Sequence, residues 1–287
     1  MKTPITRRQF LRQTSRAAAT APLFLLAAHA AETPGSPGFP LVDLHVHLDN
    51  SSIDQVLPLE LERGVKFGIV EHAGTKLNKY PTVLSNDAEL ERYAAMLDGK
   101  PVFKGVQAEW IDWSGCFSKA ALARLDYVLT DAMTFPGKSG ERVKLWEKDA
   151  AREVPMDDAP AFMDRFVDWH VEILTRQPIE VLANVTWLPE ALMPDYDKLW
   201  TAERAAKVIG AAVKAGVALE ISSSYKLPRL PFLRQAKAAG VKFTFGSNGR
   251  FPKMGQLDYS VAMARELKLA AADVWSPGPN GPKAARV

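Results

Sequence analysis

The segment Asp43-Leu44-His45-Val46-His47 marks the end of a predicted β-strand. It follows the apolar run 39–42 and places two histidines two residues apart. Alternate residues of a β-strand project from the same face, so the imidazoles of His45 and His47 are expected to reach one metal ion. The chain has only 5 histidines in 287 residues. The pattern therefore predicts half of a metal site at the end of a strand, and two ordinary core histidines are the alternative.

Residues 1–30 are predicted to be a twin-arginine export signal. The stretch Thr6-Arg7-Arg8-Gln9-Phe10-Leu11-Arg12 precedes a modest apolar segment, Ala17–Ala28, and a small-x-small cleavage pattern at Ala28-His29-Ala30. This apolar segment is shorter than the roughly 20 residues that a transmembrane helix needs. The expected location is therefore the periplasm, the export machinery is an expected partner, and stable membrane insertion is not expected.

The leader also accounts for the basic character of the chain. It holds five basic residues and no acidic one, so the formal net charge of +3 becomes −2 for residues 31–287. No basic run with interleaved aromatic residues remains in that part, which argues against nucleic-acid binding. Cys116 is the only cysteine, which excludes an intramolecular disulfide. Residues 31–287 are expected to form a single domain.

Strand-like and helix-like patterns alternate along this domain. The predicted strands are short apolar or β-branched runs: Leu41–His47, Lys66–His72, Val102–Trp110, Tyr127–Phe135, Glu180–Trp187, Ala218–Ser223 and Lys242–Asn248. The predicted helices are amphipathic: Asp54–Glu62, Asn86–Leu97, Ser118–Leu125, Ala159–Arg176, Glu203–Ala215, Pro231–Ala239 and Tyr259–Leu267. Seven such units with nearly continuous apolar strands predict an α/β fold with a parallel sheet.

A closed barrel is favoured over an open doubly wound sheet. Polar residues recur at the C-terminal ends of the predicted strands, where barrel active sites are built. They are His47, His72, Glu109, Asp131, Asn184, Ser223 and Asn248. The first strand lacks the Gly-rich turn of the dinucleotide-binding fold, and no phosphate-binding loop occurs in the sequence.

One polar stretch, Pro136–Asp157, interrupts the alternation after the fourth predicted strand. A loop of this length in a compact barrel is typical of a lid or a substrate-binding element. A solvated surface helix around Lys144–Arg152 is the alternative.

The order of several segments resembles the polymerase and histidinol phosphatase (PHP) family. These segments are Asp43–His47, Val70–His72, Gly105–Glu109, Asp126–Leu129, Leu182–Val185, Phe245–Arg250 and Leu257–Tyr259. The resemblance extends from residue 41 to about residue 268. It implies a distorted seven-stranded (β/α)7 TIM-like barrel of the PHP type, whose cavity holds up to three divalent metals that activate a water for phosphoester hydrolysis.

The departures from the family pattern imply a reduced metal site. The resemblance places His45, His47 and His72 at ligand positions, and Gln107 where the family has a metal-bridging Glu. Met133 and Asn184 replace His residues of the pattern, and Asn248 and Arg250 replace its Asp and His. An amide binds a divalent ion far more weakly than a carboxylate does, and arginine cannot ligate a cation. A trinuclear site is therefore not expected.

One zinc or manganese ion is the expected cofactor, and complete loss of metal is the alternative. Glu109 lies two residues beyond Gln107, so it points to the same side of a strand and can replace the lost carboxylate. A site of His45, His47 and Glu109, completed by Asn248 or water, has the three protein ligands of catalytic zinc sites. Glu109 can instead be a buried charge paired with Arg250.

Three functions follow from these patterns. The favoured one is an exported metal-dependent hydrolase, phosphoesterase-like, with Glu109 or Asp131 as general base and Arg250 holding an anionic group of a small-molecule substrate. The second is a metal-free barrel that binds a small anion or sugar through Arg250, Gln107, Asn184 and Asn248. The third is a protein-interaction module. The His-x-His pair and the leader favour the first, whereas amides, which keep hydrogen-bonding capacity, favour the second.

Overall fold

A computed structural model describes residues 38–287, so the predicted export signal at residues 1–30 lies outside the described residues. The strands of the described part are β1 (Leu41–Val46), β2 (Val65–Ala73), β3 (Val83–Leu84), β4 (Phe103–Ala108), β5 (Tyr127–Thr130), β6 (Thr134–Pro136), β7 (Arg142–Lys144), β8 (Val181–Leu182), β9 (Ala218–Ser222) and β10 (Phe243–Gly246). Seven of them run parallel in the order β1, β10, β9, β8, β5, β4, β2, and β2 pairs again with β1. The predicted closed seven-stranded α/β barrel is confirmed.

Helices lie between the strands along the chain. They are α1 (Ile53–Arg63), α2 (Asp87–Leu97), α3 (Lys119–Leu122), α4 (Ala150–Glu153), α5 (Ala159–Arg176), α6 (Tyr196–Leu199), α7 (Ala202–Ala215), α8 (Leu230–Ala238) and α9 (Asp258–Glu266). Within residues 38–287, no helix is both long enough and apolar enough to cross a membrane.

Local sequence sets where these helices begin and end. The side chain of Asn86 accepts a hydrogen bond from the backbone of Glu89 at the start of α2, and the side chain of Asp158 does the same for α5. Gly64 and Gly216 follow α1 and α7 with φ of 63° and 58°, the left-handed conformation that glycine adopts without strain.

The barrel interior below the strand ends is packed rather than open. Tyr127 is fully buried there, and its hydroxyl donates to the carbonyl of Leu44 at 2.8 Å. Gly105 lies on the adjacent strand β4 and Gly68 on the next strand, β2, and a Cβ atom at either position would overlap the Tyr127 side chain. The Tyr127 side chain, packed against these glycines, fills the lower part of the barrel. The space open to a ligand is therefore lined by side chains at the C-terminal ends of the strands.

The stretch Pro136–Asp157 begins in a hairpin. The fourth predicted strand divides: β5 stays in the barrel, while β6 leaves it and pairs antiparallel with β7. Lys144 belongs to β7, so the alternative of a surface helix starting there is wrong, and helix in this stretch is limited to α4. The hairpin contacts the loop after β2, because Arg142 donates to Thr75 Oγ1 at 2.7 Å.

Candidate metal centre

Three side chains at the upper ends of β1 and β2 converge on one point. His47 and Asp49 follow β1 directly, and His72 lies near the end of β2, which pairs parallel with β1. One ligand atom of each residue lies within 4.8 Å of the other two. His47 and His72 are buried, whereas the side chain of Asp49 is 13% exposed. We call these three residues the metal triad.

The histidines of the metal triad have the state that a metal requires. Both ring nitrogens of His47 and Nε2 of His72 are buried without a hydrogen-bond partner among the described residues, although buried polar groups are nearly always paired. Burial lowers the pKa of His47 far below its usual value and lowers the pKa of His72 to about 3. Both imidazoles are therefore neutral at pH 7, and each has a nitrogen lone pair for a cation.

Glu109 lies behind His72 rather than within the metal triad. Its Oε1 is 2.8 Å from Nδ1 of His72, and its Oε2 accepts a hydrogen bond from the Tyr80 hydroxyl at 3.1 Å. The ring of Tyr80 also stacks on that of His72, with centroids 3.6 Å apart. Burial raises the pKa of Glu109 to about 8, while the Tyr80 hydrogen bond acts in the opposite direction. In its ionised form, which a nearby cation favours, Glu109 accepts a hydrogen bond from Nδ1–H of His72 and fixes the tautomer that leaves Nε2 free for a metal.

His45 points into the barrel but is occupied on both ring nitrogens. Nδ1 lies 2.7 Å from Glu220 Oε2, and Nε2 lies 3.2 Å from Gln107 Oε1. Burial alone would lower the pKa of His45, but the nearby charge of Glu220 outweighs it and the pKa is raised. An oxygen atom faces each ring nitrogen of His45, and His45 lies outside the metal triad. Of the predicted ligand pair His45 and His47, only His47 belongs to the metal triad.

The amides predicted to line the cavity bond to a common acid. Gln107 Nε2 and Asn184 Nδ2 donate to Asp131 Oδ2 at 3.4 and 3.3 Å. Burial raises the pKa of Asp131 to about 6. With His45 and Glu220, these three residues form a chain of hydrogen bonds across the barrel, which we call the amide network. Its side chains form hydrogen bonds with one another, so they do not form a group of free metal ligands like the metal triad.

Arg250 lies at the upper end of the barrel beside the metal triad. Its Nε donates to Asp49 Oδ2 at 2.9 Å, and its Nη1 donates to Asn248 Oδ1 at 2.8 Å. The side chain is 38% exposed. The expected alternative pair of Glu109 with Arg250 does not form. Glu109 follows β4 and Arg250 follows β10, and these strands lie on opposite sides of β1 and β2.

Sequence reasoning missed two residues of this centre, Asp49 and Tyr80. Asp49 continues the two-residue spacing of His45 and His47, which was a usable signal even though the strand itself ends at Val46. Tyr80 lies in the loop after β2, where no periodic pattern marks it. The remaining histidine of the described part, His170, packs elsewhere, with its ring nitrogens 2.7 Å from the carbonyls of Phe166 and Val185.

Comparison with known proteins supports the fold. No family model matches the chain, and no curated protein matches its sequence. Histidinol phosphate phosphatase from Lactococcus lactis subsp. lactis Il1403, solved with zinc, L-histidinol and phosphate, is similar with a TM-score of 0.51 and 13% identity, over 85% of this chain and 98% of that one. An HpcH/HpaI aldolase from Desulfitobacterium hafniense DCB-2 matches with a TM-score of 0.35 and 14% identity, over 81% of this chain and 94% of that one. The first similarity agrees with the barrel that the PHP resemblance implied.

Proposed function

We propose that the chain is a hydrolase that uses one divalent cation, zinc or manganese, to cleave a small ester with an anionic group, such as a phosphate ester. The observation that carries this proposal is the metal triad, with its unpaired buried nitrogens on His47 and His72. The similarity of the barrel to a phosphatase solved with zinc and phosphate supports the same choice.

The residues present fit such an ion. Asp49 Oδ1 is also buried without a partner among residues 38–287, so two neutral imidazoles and one carboxylate oxygen face one another. Three protein ligands are the set found in catalytic sites, where a further position stays open. When bound, the ion would lower the pKa of a water molecule and polarise the ester.

The surrounding side chains have separate tasks in this proposal. Glu109 holds the tautomer of His72 and is a positioning residue. The Nη2 N–H groups of Arg250 make no hydrogen bond among the described residues and its side chain is 38% exposed, so these groups would bind the anionic group of the substrate. Asp131 accepts only hydrogen bonds from amides and backbone, and it is the candidate general base. We also place the activity in the periplasm, on the sequence of residues 1–30 alone.

Calorimetric titration of zinc into chelator-stripped full-length protein tests the centre. We expect one equivalent to bind, and Asp49→Asn should weaken binding at least about ten-fold because an amide replaces a charged ligand. Asp54→Asn makes the same chemical change at an exposed residue nearby and should bind zinc like the unaltered protein. Equal zinc affinity in Asp49→Asn, or no zinc binding at all, would contradict the proposal. Hydrolysis of p-nitrophenyl phosphate then tests the reaction.

The amide network favours a second candidate, a metal-free binding protein for a small anion or sugar. Its hydrogen bonds join side chains that lie on or just after five strands, β1, β4, β5, β8 and β9, and Asn248 and Arg250 lie at the same end of the barrel. Phosphate binding that needs Arg250 but no zinc, in a protein that takes up no metal, would select this candidate.

A further inference from the structure

A cavity of about 490 Å³ lies next to the metal triad, between the loop that follows β9 and the loop that follows β10. Its polar lining includes Ser224, Lys226, Asn248, Arg250, Lys253 and Gln256. Arg250 belongs to this lining and also donates a hydrogen bond to Asp49, so the cavity is adjacent to the metal triad. Its volume lies within the range of small-molecule sites, roughly 300–1,000 Å³, and exceeds what a single anion would fill.

The charges of the cavity are unbalanced. Lys226, Arg250 and Lys253 line it, against one acidic residue, Asp258. Within residues 38–287, the lysines that form ion pairs are Lys76, Lys100, Lys104, Lys198 and Lys237, and neither lysine of the cavity is among them. A concave surface lined by cations attracts anions more strongly than isolated surface lysines do.

Arg250 cannot account for both ends of a substrate. Its Nε donates to Asp49 and its Nη1 donates to Asn248, so the N–H groups of Nη2 remain, and these can bind one anionic group beside the metal triad. The two lysines of the cavity are separate cations on different loops, one after β9 and the other after β10. Hydroxyl and amide side chains such as Ser224 and Gln256 share the lining with these lysines, and such groups bind polar rather than apolar molecules.

We infer that this cavity holds the non-reacting part of the substrate and that this part carries a second anionic group, a phosphate or a carboxylate, which Lys226 and Lys253 bind. The substrate class is therefore a polar small molecule with two anionic groups, one at the metal triad and one in the cavity. This inference rests on the proposed function for the position of the first group only.

Three phosphonates that cannot be hydrolysed as esters test the second group: butylphosphonate, butane-1,4-diphosphonate and 4-phosphonobutanoate. Their dissociation constants are measured by calorimetry on zinc-loaded full-length protein at fixed ionic strength. We expect at least one of the two doubly anionic ligands to bind about ten-fold more tightly than butylphosphonate, because it gains charge-assisted hydrogen bonds to the lysines. A gain for the diphosphonate alone identifies a phosphate site, and a gain for phosphonobutanoate alone identifies a carboxylate site.

The double variant Lys226→Met and Lys253→Met should bring all three ligands to the same affinity. The matched control, Lys207→Met with Lys214→Met, removes two exposed lysines from α7 and should keep the gain. Equal binding of all three ligands to the unaltered protein, or a gain that persists in the Lys226 and Lys253 variant, would overturn the inference. A lysine-dependent gain in protein that binds no zinc would support this anion site while the proposed metal-dependent function fails.

Discussion

Gly246 is the residue that allows Glu220 to reach His45. A Cβ atom at position 246 would overlap the Glu220 carboxylate oxygen that lies 2.7 Å from His45 Nδ1. Gly246→Ala must therefore displace one member of a fully buried charged pair. We expect the free energy of unfolding, measured by urea denaturation, to fall by about 1–3 kcal/mol.

Gly210 provides the matched control for that change. It lies in α7, where nothing is within 4 Å of an added Cβ atom. Alanine is favoured over glycine inside a helix by roughly 0.5–1 kcal/mol, so Gly210→Ala should raise the free energy of unfolding. The two glycine substitutions are thus expected to have opposite signs, and a Gly246→Ala variant as stable as the unaltered protein, or more stable, would show that Glu220 moves aside without cost.

Glu109 provides a second test at the residue scale, because it touches the metal triad only through His72. Glu109→Gln removes the carboxylate that fixes the His72 tautomer and should weaken zinc binding by roughly ten- to a hundred-fold in competition with a chromogenic chelator. Glu190→Gln, at an exposed position, serves as the control. An unchanged zinc affinity in Glu109→Gln would mean that the ring of His72 is held by Tyr80 stacking alone.

At the scale of the elements, the hairpin of β6 and β7 connects to the metal triad through the loop after β2. Arg142 in β7 donates to Thr75 Oγ1 and to Asn78 Oδ1 at 2.7 and 3.2 Å. Lys144, two residues on, lies 3.9 Å from the centre of the Tyr80 ring, which stacks on His72. The hairpin therefore holds the loop that covers one side of the centre.

Arg142→Met should loosen this loop. We expect the backbone amides of residues 75–80 to exchange with deuterium faster, because Arg142 holds both Thr75 and Asn78 in place. Arg152→Met removes an exposed arginine from α4 and should leave that exchange unaltered. If both variants exchange like the unaltered protein, the hairpin does not order the loop.

The bounds of the helices and strands show where sequence patterns predict the fold correctly and where they do not. Helix α5 has the predicted bounds, because Asp158 caps a strongly amphipathic segment. The fourth predicted strand is interrupted between Thr130 and Thr134, since Asp131 Oδ1 accepts from the backbone of Met133 and turns the chain. The fifth shrinks to Val181–Leu182 because Asn184 has φ of 51°, a conformation that no strand residue adopts.

The sequence predicts the position of the candidate site but not the hydrogen-bond partners of its residues. The spacing of His45 and His47 indicates a shared face, and both side chains do point into the barrel end. Their different states follow from partners far away in sequence: Glu220 comes from β9 and Gln107 from β4. No local pattern reveals which of two like residues will meet a carboxylate across a closed sheet.

At the scale of the whole molecule, the proposed location can be tested on the complete chain. Arg7→Lys with Arg8→Lys keeps the charge of the leader but removes the twin-arginine pair, so the protein should stay in the cytoplasm after cell fractionation. Arg12→Lys with Arg16→Lys makes the same change outside the pair and should not affect export. Normal export of the Arg7 and Arg8 variant would rule out the twin-arginine route.

Closure of the barrel ties the first strand to the last, since β1 pairs with β2 on one side and with β10 on the other. Asp43 in β1 lies opposite Phe245 in β10, and pairings between residues so distant along the chain form slowly. During synthesis, all three residues of the metal triad are made early, because the last of them along the chain is His72. Yet β1 has no neighbour on its second side until β10 has been synthesised, so capture of the ion is expected to be among the last events of folding.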